Sequence, residues 1–198
     1  YPNAKPNAIH LKQAQLTHEG RASIVTQNVD NLYREAHAKN LVEFHGNLYH
    51  VYCEKCGKSV DWHEYLKSPI HKTDGGTLRP GIVLYDEGLK QSNIIRSVQM
   101  MEDSDLVVIV GTSMRVYPFA GLLQYHKPGV PVIAIGVPTV VEAATLACDV
   151  LSSLGKSCGG MGYEQIQKEL SPYEQNLFVT PRDIDDIMTQ VSKMIGYA

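Results

Sequence analysis

Ala22-Ser23-Ile24-Val25-Thr26-Gln27-Asn28-Val29-Asp30 is the stretch from which the fold follows. Its first four residues form a short apolar run with β-branched side chains, the pattern of a strand buried in a parallel sheet. Two amides and a carboxylate come directly behind it, and ligands of open α/β sheets bind beyond the carboxyl ends of such strands. Gln27, Asn28 and Asp30 therefore stand where a ligand can be held. An Asn-x-Asp segment is also a common turn signature, because both side chains bond their own backbone. The imidazole of His45, followed by Gly46, lies fifteen residues beyond Asp30 and favours the functional reading.

A second strand, Leu106-Val107-Val108-Ile109-Val110, is uninterruptedly apolar and runs straight into Gly111-Thr112-Ser113. A glycine there lets backbone approach a ligand closely, and the two hydroxyls suit phosphate or ribose oxygens. Alone, the tripeptide is equally an ordinary strand-to-helix turn with a hydroxyl cap. Val130-Pro131-Val132-Ile133-Ala134-Ile135 reads as a further strand. Asn7 caps a predicted helix through about Thr17 with Gly20 as its stop, and another helix covers about Ser92 to Met101. Alternation of helices with apolar strands predicts βαβ units and a doubly wound sheet. Residues 47–80 change in composition, with Cys53, Cys56, His63, His71 and a Thr73-Asp74-Gly75-Gly76 turn, as in a small inserted module.

Five motifs occur in order: Thr-Gln-Asn-Val-Asp (26–30), Glu43-Phe44-His45-Gly46, Cys53-Glu54-Lys55-Cys56, Gly75-Gly76-Thr77-Leu78-Arg79-Pro80 with Ile82-Val83-Leu84-Tyr85 behind it, and Gly111-Thr112-Ser113. Together they resemble the sirtuins, the NAD-dependent protein lysine deacylases, in their bacterial form. The resemblance runs along residues 1 to about 150. It implies a Rossmann-like doubly wound α/β fold, incomplete at the N-terminus, with a small zinc-ribbon-like insertion. The domains expected are 1–46 with 81–155 for NAD binding and catalysis, 47–80 for the zinc-type module, and 156–198 as a C-terminal helical extension.

The resemblance also implies roles. His45 is expected to be the general base, and an imidazole suits this because its ordinary pKa is about 6.5. Asn28 orients a water or ribose hydroxyl, Asp30 accepts from the nicotinamide carboxamide, and Gln27 lies near the ribose. Gly111, Thr112 and Ser113 face the cofactor. Thr139 takes a share of the adenosine ribose contact, since Ile135-Gly136-Val137-Pro138 lacks the asparagine common in the family. Val83 and Leu84 pair with the backbone of an acyl-lysine peptide by strand addition. Many relatives have a glycine before the glutamate where this chain has Asp86-Glu87, which affects the loop that follows.

The family's structural zinc usually sits between two Cys-x-x-Cys pairs, and only Cys53 and Cys56 match. His71 and Asp74 stand where the second pair belongs, and both are legitimate zinc ligands. Two readings stay open: a mixed Cys53, Cys56, His71, Asp74 site, or loss of the metal with the module held by packing of Trp62, Tyr65 and Leu66. Cys148 and Cys158 match no ligand spacing, and Cys148 reads as a small buried residue.

A hydrophobic fraction of 43% in 198 residues is enough to enclose a sizeable core. The formal charge of −3 without a basic block argues against nucleic acid or anionic membrane as partners. No apolar run approaches the roughly 20 residues needed to span a bilayer, and Tyr1-Pro2-Asn3-Ala4-Lys5-Pro6 lacks a signal pattern. Two cysteines at metal spacing suggest a reducing compartment, hence the cytoplasm. The family's glycine-rich phosphate loop precedes the first motif and has no counterpart here, as expected of a fragment or of a truncated relative. The function expected is NAD-dependent protein lysine deacylation releasing nicotinamide and O-acyl-ADP-ribose. The alternatives are protein ADP-ribosyl transfer and a truncated, non-catalytic peptide-binding module. Past Gly155, Thr180-Pro181-Arg182-Asp183 opens a predicted amphipathic helix with Thr180 as its cap.

Overall fold

The computed structural model describes residues 3–112, 116–135 and 177–180. The chain divides into two compact units, Tyr1–Ser97 and Val98–Ala198.

The first unit opens with helix α1 (Ala8–His18), capped as its sequence predicts: the Asn7 side chain accepts from the His10 N–H at 3.1 Å. Gly20, at φ +70°, turns the chain into β1 (Ile24–Thr26). After the single turn of α2 (Leu32–Glu35), β2 (Leu41–Glu43) pairs parallel with β1, Ile24 opposite Leu41 and Thr26 opposite Glu43. This strand was not foreseen, because three residues are too few to display a period. Val42 and Phe44 are buried on it and just after it.

The antiparallel module follows at once. β3 (Gly46–Cys53) lies between β4 (Ser59–Val60) and β5 (Leu78–Ile82). Between the two outer strands runs α3 (Trp62–Lys67), whose cap Asp61 accepts from the His63 N–H. Val51, Cys53 and Leu78 are buried together, with Val60, Trp62 and Tyr65 packed against them. Leu66 corrects the packing expected of it. At 68% exposed it faces solvent, since a six-residue helix buries one side only and Trp62 and Tyr65 occupy that side. Register slips between Asn47 and Val51, where β3 meets β5 irregularly. There Gly46 has φ +85°, and a Cβ added to it would lie 1.9 Å from the Gly81 carbonyl oxygen. Beyond the module, α4 (Gln91–Asp103) contains the boundary between the two units.

In the second unit, β6 (Val107–Val110), β7 (Val132–Ile135) and β8 (Leu177–Thr180) form a parallel sheet in that order. Ile133 and Ile135 are buried, with Leu106 and Val108 against them. A short 3-10 helix, Ala120–Tyr125, contributes buried Leu122 and Leu123. β8 falls inside the stretch read from sequence as a helical extension. Phe178 is aromatic and Val179 and Thr180 are β-branched, and four residues suffice once a partner strand is present. The helix expected from Pro181 onward, together with Cys148 and Cys158, lies outside the described residues. Parallel strands in each unit and an antiparallel insertion make up the α/β class that the sequence predicts.

Two consequences are measurable. Gly46→Ala combines a left-handed backbone with a collision against backbone, so it should destabilise the protein by at least about 3 kcal/mol. Gly20→Ala meets nothing within 4 Å and should cost only about 1 kcal/mol of backbone strain, a difference that urea unfolding of both variants will show. Tyr33 supplies the second test. Its hydroxyl donates to Gln13 and its ring lies 4.7 Å from that of His10. Burial first, and the charge of Asp30 second, push its pKa up to about 12. An unfolded tyrosine ionises near 10, so this contribution is complete below about pH 10 and is lost as pH rises toward about 12. Tyr33→Phe should flatten that alkaline decline in the urea midpoint.

Candidate functional site

The parallel pairing of β1 with β2 sends two chemically loaded segments out of the same end of the sheet. Gln27 to Asp30 follow β1, while Phe44 and His45 follow β2, and the Phe44 N–H donates to the Thr26 carbonyl at 2.9 Å. A turn in which the Asn28 N–H donates to Thr26 Oγ1 at 3.1 Å leaves the Asn28 side chain exposed. Gln27 and Asp30 are half-buried. Asp30 accepts from the Leu32 N–H at 3.0 Å, a local turn that leads into α2 just before its N-cap residue Asn31. His45 is half-buried, its ring set edge-on to Phe44 at 5.5 Å, and its carbonyl accepts from the Val83 N–H at 2.9 Å. An amide, a carboxylate and an imidazole thus share one rim.

Behind that rim lies a polar cluster that sequence reasoning missed. Asn47 is buried and donates to both Asn31 and Glu43, and Glu43 in turn pairs with Arg34 at 2.7 Å. Its residue types are those of any solvated surface, and only their convergence marks them.

Val83 and Leu84 lie just past the end of β5 at Ile82. Leu84 is 54% exposed and Tyr85 92% exposed. The Leu84 N–H donates to the Glu87 carboxylate, which Arg79 also grips. The Arg79 bond is the main reason that the Glu87 carboxyl is held below its ordinary range. Asp86 closes this loop with φ +67°, a conformation that aspartate tolerates and glycine prefers.

Cys53, Cys56, His71 and Asp74 come together, all four ligand atoms lying within 4.8 Å of one another. Cys53 Sγ is 3.5 Å from Asp74 Oδ1, Cys56 Sγ is 3.7 Å from His71 Nδ1, and His71 Nδ1 is 2.9 Å from Asp74 Oδ1. Ligands about 2.0–2.3 Å from a tetrahedral zinc are roughly 3.3–3.8 Å from each other, so the donor set and the two sulfur spacings fit the ion, while the His71–Asp74 hydrogen bond at 2.9 Å is shorter and would open to admit it. Asp74 is held well below the usual carboxylate range, first by its hydrogen bond with Cys56 and next by the Gly76 N–H. A Cβ at Gly76 would sit 2.6 Å from Cys53 Sγ, so only glycine lets the loop close over the sulfur.

In the second unit the Gly111 N–H donates to the Ile135 carbonyl at 2.8 Å, extending the β6–β7 ladder by one rung. Its φ of +61° then turns the chain toward Thr112, a left-handed conformation that glycine adopts without strain. Ser113 and Thr139 lie outside the described residues.

Comparison with known proteins addresses the family and the fold. The Sir2 family model matches residues 1–118. An NAD-dependent protein deacetylase of Lactiplantibacillus plantarum is 64% identical over 135 residues, 68% of this chain and 58% of that protein. Another from Listeria monocytogenes is 49% identical over 135 residues, 68% of this chain and 59% of its own length. The matches thus span less than two thirds of the length of these two relatives. Among solved structures, a Sir2 protein bound to a propionylated peptide superimposes with a TM-score of 0.70 and 23% identity over 100% of this chain and 74% of its own, a likeness of fold. One described under sirtuin substrate affinity gives 0.62 at 30% identity, covering 67% of this chain and 58% of that one. On motif order, fold and these matches, the chain belongs to the Sir2 family.

Proposed function

We propose that the chain carries the base and the nicotinamide-side residues of an NAD-dependent protein lysine deacylase. The observation that carries this reading is the shared rim, where Asn28 and Asp30 leave β1 beside the His45 that leaves β2. Relatives named as protein deacetylases and a fold shared with a peptide-bound Sir2 protein support it.

In such a reaction NAD supplies an anomeric carbon whose leaving group is nicotinamide, and the acyl oxygen of a lysine side chain displaces it. His45 would take the proton from a ribose hydroxyl so that this hydroxyl can attack the acyl carbon, and one water, consumed as the bond from that carbon to the lysine nitrogen breaks, completes the release of free lysine and O-acyl-ADP-ribose. Asp30 accepts from the carboxamide of the leaving group. The exposed carboxamide of Asn28 orients a water or a ribose hydroxyl, with Gln27 nearby. Gly111, Thr112, Ser113 and Thr139 are assigned to the phosphate and ribose oxygens. Positioning is the protein's main contribution, and one base does the proton transfer.

The acyl-lysine peptide adds beside Val83 and Leu84, which continue from β5 and whose first N–H already bonds the carbonyl of His45. That bond couples the peptide track to the base. Cys53, Cys56, His71 and Asp74 hold zinc, which closes the module rather than taking part in the chemistry. Two cysteine thiols at metal spacing suit the cytoplasm. With a formal charge of −3, and no helix among the described residues long and apolar enough to cross a membrane, nucleic acid and lipid are poor partners.

His45→Ala should lower deacylation by roughly 10²–10⁴-fold with unchanged far-ultraviolet circular dichroism. Mass spectrometry of an acetylated peptide incubated with NAD reads the outcome: loss of the acyl group supports deacylation, and gain of ADP-ribose on the acceptor replaces it with transfer. Elemental analysis should find about one zinc per chain. Cys56→Ser and His71→Ala should each lose most of it, and with it part of the thermal stability.

A further inference from the structure

We propose that Asn47 is a positioning residue that locks the segment carrying Asn28 and Asp30 to the strand entered through His45. Its catalytic consequence rests on the deacylase reading, whereas its structural one does not.

Asn47 is 4% exposed, on β3 two residues after His45. Its amide nitrogen donates to Glu43 Oε1 at 2.6 Å and to Asn31 Oδ1 at 2.7 Å. Its oxygen accepts from the Tyr49 N–H at 2.8 Å. That last bond comes from a backbone donor and fixes which end of the amide is nitrogen. Both amide protons are therefore committed, one to β2 and one to the end of the loop.

The loop is tied to β2 and β3 at its two ends. At the start, the Thr26 carbonyl is bonded by the Phe44 N–H. At the far end, the Val29 carbonyl accepts from the Leu48 N–H at 3.0 Å, and Asn31, in the left-handed region at φ +68°, receives Asn47. Asn28, exposed, and Asp30, half-buried, sit between these anchors. Glu43 is itself fixed, its Oε2 by Arg34 at 2.7 Å and its carbonyl by Asn93 Nδ2 of α4 at 3.0 Å. A side chain without two donors at position 47 would leave Glu43 Oε1 and Asn31 Oδ1 facing each other without the bonds Asn47 gives them, Glu43 keeping only Arg34 on its other oxygen. The loop, not the sheet, is the part free to move away.

Asn47→Asp preserves shape while removing both donors and setting a carboxylate against Glu43. Adding Glu43→Gln restores a donor from the other side, and the Asn31 amide can turn over to supply the second. Hydrogen exchange followed by mass spectrometry on the full-length protein should show amides of residues 27–32 exchanging roughly 10-fold faster in Asn47→Asp, with residues 78–82 unchanged. Turnover should show KM for NAD raised and kcat lowered, kcat/KM falling roughly 10²-fold, and the double variant recovering most of both effects. Unaltered exchange in 27–32, an equal rise throughout the unit, or a double variant no better than the single one would overturn the proposal. Should Asn47→Asp not fold, Asn47→Ala removes the donors without adding charge and carries the same exchange comparison. A wild-type protein without NAD-dependent deacylation would sink the deacylase reading, while the exchange result would still decide the role of Asn47.

Discussion

Gly46 and Gly81 meet backbone to backbone, closer than any side chain permits, and the geometry of the first unit depends on that meeting. The chain must pass from a parallel pairing, β1 with β2, into an antiparallel one, β3 with β5, within the two residues Phe44 and His45. It does so by a left-handed turn at Gly46 pressed against β5. Because β5 is then fixed beneath the turn, the next N–H along it, that of Val83, reaches the carbonyl of His45. The backbone from which the imidazole projects is thus held by this crossing.

The same crossing explains why the polar cluster around Asn47 is buried at all. Position 47 points into the angle between the two sheets of this unit, where β2, β3 and the loop after β1 converge. An apolar residue there would leave several acceptors dry. Glu43 brings a charge into that angle, with its side chain 9% exposed against 61% for its partner Arg34. The desolvation penalty of a carboxylate is offset only when its oxygens are bonded, and Arg34 and Asn47 each take one. Charge and amide are therefore coupled, and neither can be replaced without considering the other.

What was legible in the sequence was what lies in local pattern. The cap at Asn7, the β-branched run at Ile24 and Val25, and the apolar run at Val107 to Val110 each carry their own signal. Motif order brought the rim residues and the metal donors into view, because Cys-x-x-Cys and His-x-x-Asp each place two ligands within one turn of chain. β2 and β8 escaped because three or four residues become a strand only through a neighbour. Asn31, Glu43 and Asn47 escaped for a related reason: burial of a polar side chain is a tertiary fact. Leu66 shows the converse, an apolar residue counted into a core that the short helix α3 cannot offer it.

Packing and metal were set against each other as ways of holding the module, yet Cys53 belongs to both. It is fully buried among Val51, Leu78 and Trp62, and its sulfur also faces Asp74. Replacing two thiolates by an imidazole and a carboxylate leaves one negative charge fewer around a divalent ion. That set is harder and less demanding of N–H donors to the sulfurs. Outer contacts are correspondingly placed on the aspartate: the Gly76 N–H donates to its carboxylate at 2.9 Å, and Lys55 Nζ donates to its carbonyl at 2.7 Å. The loop that brings Asp74 to the cluster is thus shaped by glycines 75 and 76 and pinned by Lys55. The four-donor cluster is built onto a packed sheet instead of in place of one.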